Sequence, residues 1–154
     1  MQRKYFMIVL SLALILFLSG CVTPTSSINL TGEWTIEGVT TSGTSPYFII
    51  GQERTDTCSI LDDNGALTIT NFTSIEQEEI DWEDCTGTFA DPSFTIGPLN
   101  GSMTYYGDPV TFIINFEGTM NDEGTGGTGT WTATIKIDGE TVGTGGGTSV
   151  YTKN

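Results

Sequence analysis

The chain has 154 residues, with 5 Lys+Arg against 19 Asp+Glu, no His, 3 Cys and 20 Gly. Without His there is no Ser-His-Asp or Cys-His catalysis, no His metal site and no imidazole pH switch. A formal charge of −14 argues against a nucleic-acid partner, because phosphate binding needs clustered Lys and Arg. The length suits one domain, and 37 % hydrophobic with 16 % charged residues is the balance of neither a disordered nor a multi-spanning chain.

In chain order, Gln2-Arg3-Lys4 is a short basic start, and Phe6 to Leu18 is apolar apart from Ser11. As a helix that run spans about 20 Å, short of the ~30 Å hydrocarbon core, which fits a secretory leader rather than a membrane-crossing helix. Leu18-Ser19-Gly20-Cys21 follows directly and resembles the lipobox of prokaryotic lipoproteins: an aliphatic residue, two small residues, then Cys. The resemblance implies cleavage before Cys21 and a diacylglycerol thioether on its sulfur, two acyl chains being enough for stable anchoring. An ordinary signal peptide with a Cys at its cleavage site is the alternative.

The expected organisation is a signal helix over 1–20, the lipidated Cys21 and a small polar tether over 21–29, and one domain over 30–154. Val22 is not the Asp that, in the Gram-negative family pattern, retains lipoproteins at the inner membrane. The expected location is thus the cell envelope, facing the extracytoplasmic side: the outer membrane of a diderm cell, or the outer face of the cytoplasmic membrane otherwise. Without residues 1–20 only Arg54, Lys136 and Lys153 stand against the 19 acidic residues, a formal charge of −16. Lipid rather than a basic patch must then hold the protein to a membrane.

Export places Cys58 and Cys85 in a disulfide-permissive compartment, and with Cys21 carrying lipid the two remaining thiols read as one disulfide. On the chain-entropy model such a bridge stabilises by roughly 3.5 kcal/mol. The alternative is a pair of unlinked buried thiols. Two Cys without His cannot supply a four-ligand zinc site.

The rest of the chain alternates with period two. Trp34 and Ile36 form one face of a first strand, and Leu67 and Ile69 that of another. Val110, Phe112, Ile114 and Phe116 line a third, and Trp131, Ala133, Ile135 and Ile137 alternate with Thr and Lys in the cleanest run. Turn residues separate these runs at Asp62 to Gly65, Asn100-Gly101, Asn121 to Gly124 and Asp138-Gly139, and Pro109 opens a strand after Gly107-Asp108. The Gly-rich stretch Gly143 to Gly147 lacks the Lys and helix of a phosphate loop and reads as a flexible hairpin or bulge before a last strand, Ser149 to Thr152. The fold class is all-β: an antiparallel meander of about eight strands, closed or nearly closed into a small barrel.

Thr31-Gly32-Glu33-Trp34-Thr35 opens this domain and Thr128-Gly129-Thr130-Trp131-Thr132 recurs near its end. With its first-strand Gly-x-Trp, the domain resembles the calycin-like barrels, the lipocalins and avidin-like proteins, and lipoproteins carrying such barrels. Asp63-Asn64-Gly65-Ala66-Leu67-Thr68 is similar to an avidin-like hairpin. The resemblance implies a barrel architecture over residues 30 to 152. Two departures are expected: no basic residue near the closing strand to stack on Trp34, and no avidin-like polar ligand set around residues 37–46.

The run 76–84 gathers Glu76, Glu78, Glu79, Asp81, Glu83 and Asp84. It reads either as a weak Ca²⁺ site or as a solvated acidic segment, with no EF-hand spacing. Trp82 either packs inward with Ile80 or joins Tyr105-Tyr106 as an exposed aromatic platform for sugars. Nothing fixes two carboxylates at a hydrolytic separation, so no enzyme activity, metal or cofactor is expected. The leading expectation is an acidic, lipid-anchored barrel that binds a small apolar ligand or plays a structural role. Trp34, Phe112, Ile114, Phe116, Trp131 and Ile135 are then either packing residues or ligand wall, and the interior volume decides which. The alternative is a non-catalytic surface or adhesin module that meets a protein or glycan.

Overall fold

The computed structural model describes residues 28–44, 46–75 and 79–154. The expected leader, Cys21 and most of the tether lie outside the described residues, as do Glu76, Gln77 and Glu78 of the acidic run.

Alternation becomes a single antiparallel sheet of nine strands: β1 (Gly32–Gly43), β2 (Glu53–Asp63), β3 (Ala66–Ser74), β4 (Asp81–Trp82), β5 (Cys85–Ala90), β6 (Ser93–Tyr105), β7 (Asp108–Met120), β8 (Gly126–Ile137) and β9 (Glu140–Lys153). The strands follow the order β6-β5-β3-β2-β1-β9-β8-β7, and pairing of β7 back onto β6 closes the ring. The result is an eight-stranded barrel of the calycin-like type, with β4 added against the far half of β6. Closure leaves each long strand paired on both sides, which is how such a barrel avoids exposed edges.

Tight turns alternate between the two ends of the barrel. Asn64-Gly65 and Asp138-Gly139 take positive φ at both positions (54° and 90°; 52° and 83°), the backbone that matches a two-residue hairpin to the twist of its strands. The β2–β3, β5–β6 and β7–β8 connections lie at one end. The β1–β2, β3–β4, β6–β7 and β8–β9 connections lie at the other.

The first end is packed shut. Trp34, 0 % exposed, donates from its indole Nε1 to the Leu30 carbonyl at 2.8 Å. The Leu30 amide donates to Asp62 Oδ2 (3.0 Å), and Asp62 Oδ1 accepts from the Gly65 amide in the β2–β3 turn (2.8 Å). These bonds lay the strand entry across the barrel end as a plug and satisfy polar groups that burial would otherwise penalise. Lys153, near the end of β9, places Nζ 5.9 Å from the Trp34 ring centroid and donates to the Asn29 carbonyl at 3.1 Å. The expected lack of a basic partner for Trp34 is therefore corrected: antiparallel pairing of β1 with β9 sets Lys153 directly opposite Trp34. Above the plug, Ile36, Ile60, Leu67, Ile69, Phe94 and Phe116 fill the lower barrel.

Two expected turns belong to strands. Asn100-Gly101 lies inside β6, and Gly is needed there because a Cβ would meet the Trp82 ring at 2.5 Å. Gly143 to Gly147 is no loose hairpin but part of β9. A Cβ on Gly147 would stand 2.8 Å from Trp131 Nε1, and one on Gly145 would run into the Phe48 ring. Both glycines thus make room for aromatics lying across the strand.

The expected disulfide is also corrected: Cys58 and Cys85 are separate buried thiols. β3 runs between their strands, and Cys85 lines up with Ile69 and, through it, Ile60 rather than with Cys58. Two strand spacings come to about 9–10 Å, beyond the ~7 Å Cα separation that a disulfide can span.

Candidate functional site

The turn-rich second end is open. A cavity of about 620 Å³ occupies the barrel mouth. Its wall is built from inward positions of three consecutive strands: Met103 and Tyr105 on β6, Val110 and Phe112 on β7, Ile135 and Ile137 on β8. The longer connections finish the rim, with Tyr47 from β1–β2 and Ile75, Glu79 and Ile80 from β3–β4. On the neighbouring strand β9, Gly143 pairs with Ile135 and Gly145, over which the Phe48 ring lies, pairs with Ala133.

A smaller void of about 70 Å³ lies beneath, bounded by Trp82, Trp131, Arg54, Thr40 and Ser74 among others. Arg54 Nη2 lies 2.5 Å from Asp56 Oδ2, and Nε donates to the same oxygen at 2.8 Å. The guanidinium also lies 5.6 Å from the Trp131 ring centroid. Asp56 is 1 % exposed, so this pair is a desolvated ion pair whose partners depend on each other. Among the described residues the buried indole N–H groups of Trp82 and Trp131 have no hydrogen-bond partner, and that of Trp131 lies over Gly147 and Gly38.

The residues singled out in the sequence divide between the two halves. Phe112 and Ile135 line the mouth cavity, and both, with Ile114 and Trp131, also bound the void below it. Trp34 and Phe116 belong to the packed lower core. Trp82 points inward, edge-on to Phe72 at 5.0 Å and 6.2 Å from Phe112. It is therefore separate from Tyr105-Tyr106, which form an edge-to-face pair (4.5 Å) at the β6–β7 turn, with Tyr106 92 % exposed. Tyr47, Ile75, Glu79 and Ile80 were not anticipated as lining, because they sit on connections with no periodicity. Val110 and Ile137 already stand on the alternating faces read from the sequence without being singled out as ligand wall, and Met103 lies on β6, where no alternating run was read.

Burial pushes the Cys58 thiol up to about 12, with Cys85, Asp56 and Glu33 adding to the rise, and pushes Cys85 up to about 11, with Asp84 adding. Neither is a thiolate nucleophile at neutral pH. Among the described residues, no group of three or more His, Cys, Asp or Glu is placed to hold a metal ion. No described helix is long and apolar enough to cross a membrane. Compared with known proteins, the chain matches no family model, no curated protein and no solved structure.

Proposed function

We infer that this is a lipid-anchored envelope protein whose barrel acts as a cup for a small apolar ligand. The observation that carries the reading is the 620 Å³ mouth cavity, walled by Met103, Val110, Phe112, Ile135 and Ile137. Pockets of about 300–1,000 Å³ with apolar walls are the size that takes one drug-sized molecule. Anchoring is supported by Leu18-Ser19-Gly20-Cys21 and the basic, apolar leader before it. Binding rather than catalysis is supported by the absence of His from the sequence and by the suppressed thiols.

Native mass spectrometry of protein extracted from its own envelope tests the cup. The expected result is a bound apolar small molecule that Met103→Trp, which fills the cavity, abolishes without lowering the melting temperature. An empty wild-type protein that also fails to take up an apolar fluorescent probe rejects the reading. Fatty-acid labelling that persists in Cys21→Ser rejects the anchor.

The exposed Tyr105-Tyr106 pair favours a second reading, an aromatic contact with a glycan or protein at the rim. Loss of partner binding in Tyr106→Ser, with ligand uptake intact, would support it.

A further inference from the structure

We propose that the cup selects a cationic amphiphile, its apolar body held by the wall and its positive head held at Glu79. This deepens the reading of the cavity as a ligand cup and rests on it. Glu79 is the one charged side chain among the described residues lining the mouth cavity, and it is exposed on the rim. Tyr47 and Tyr105, also lining the cavity, are half exposed, so aromatic rings border the site where a cationic head would rest.

The surrounding charges are predominantly of the same sign as Glu79. Glu53, Asp81, Asp108, Asp138 and Glu140 all sit at turns or strand starts of the open end, against Lys136 near the end of β8. Arg54 is the cation nearest the interior, but Asp56 neutralises it at 2.5 Å beneath the cup. A carboxylate or sulfate head at the rim therefore meets a negative field, and one driven to the floor meets an Arg54 already paired with Asp56. A neutral head gains no electrostatic attraction. A positive head gains it on approach and at rest, and clefts of one sign enrich ligands of the other. The cavity volume of about 620 Å³ suits one compact or single-chain molecule.

The test compares three probes with the same dodecyl chain, below their micelle concentrations, by calorimetry on the intact protein: dodecyltrimethylammonium, dodecyl maltoside and dodecyl sulfate. The expected affinity order is cationic, then neutral, then anionic, with added salt narrowing the gap. Glu79→Gln should weaken the cationic probe by about three- to fivefold, as for a partly solvated ion pair, and leave the neutral probe unchanged. Met103→Trp should abolish all binding. Equal or tighter binding of dodecyl sulfate, or an unchanged cationic affinity in Glu79→Gln, overturns the proposal while leaving the cup intact. Cationic binding that survives Met103→Trp is surface adsorption and overturns it too. If none of the three probes binds, the cup itself is rejected.

Discussion

Lys153 and Trp34, 119 residues apart in the chain, meet face to face where the last strand closes against the first, the ammonium 5.9 Å from the indole centroid. The contact joins a partly exposed cation to a fully buried ring that is hydrogen-bonded to Leu30. It therefore fastens the barrel seam and the plug together. Lys153→Ala is expected to destabilise by about 1 kcal/mol, the range of a partly exposed cation–π contact with one added hydrogen bond. Trp34→Ala is expected to destabilise by about 3–5 kcal/mol through loss of buried area and the cavity left behind. Urea unfolding followed by circular dichroism checks both, and an unchanged stability in Lys153→Ala would separate Lys153 from the seam role.

Gly147 should tolerate nothing larger. A Cβ there meets Trp131 and the Val39 carbonyl, both held by pairing on either side of β9. Gly147→Ala is expected to destabilise by about 1–3 kcal/mol through overpacking. Thermal melting reads this directly, and a neutral result would mean that both the Val39 backbone and the Trp131 ring can move aside.

The two thiols and Tyr151 predict alkaline sensitivity. Burial raises Tyr151 to about 12, although the Ser149 hydroxyl donating to it at 2.8 Å pulls the other way. Cys58 rises to about 12 and Cys85 to about 11, from ordinary values of 9.0 for thiols and 10.0 for tyrosine. Each group keeps its proton more tightly when folded, so its stabilising contribution is complete below the unfolded value. That contribution is lost as pH rises toward the folded one. Denaturation midpoints should stay level with respect to these groups up to about pH 9 and fall between about pH 9 and 12. In the same protein iodoacetamide at pH 8 should modify neither thiol until denaturant is added. Prompt labelling of the native protein would contradict their burial.

Tyr106 sits at φ 50° in the β6–β7 turn, a left-handed backbone that a bulky side chain adopts only at a cost of about 1–2 kcal/mol. Its side chain is 92 % exposed, with the edge-to-face contact to Tyr105 to set against that cost. Tyr106→Asn is expected to stabilise by about 1 kcal/mol, because Asn visits this backbone readily. A melting temperature that does not rise would show that the Tyr105 contact offsets the strain.

The closed half was legible because its signals are local and repeated. Trp34, Ile36, Leu67, Ile69 and Phe116 fall on strict alternation, and Asn64-Gly65 is a hairpin dipeptide. What escaped depended on partners across the sheet. Gly101 and Gly143 to Gly147 look like breaks until Trp82, Phe48 and Trp131 are seen lying over Gly101, Gly145 and Gly147. Lys153 looks like a tail residue until register sets it opposite Trp34. The thiol pair failed for the same reason, since an intervening strand cannot be inferred from a count of cysteines. Four of the ten residues lining the mouth were equally invisible, as Tyr47, Ile75, Glu79 and Ile80 reach the cavity from connections whose path only closure determines.

The plug at Leu30 fixes the direction in which the barrel is strung. Ile28 and Asn29 enter at the sealed end, and Asn154 finishes there too, its amide bonded to the Glu33 carbonyl at 2.9 Å. Whatever grips the polypeptide upstream therefore holds the vessel by its base. The mouth cavity lies at the opposite end of the barrel from that entry.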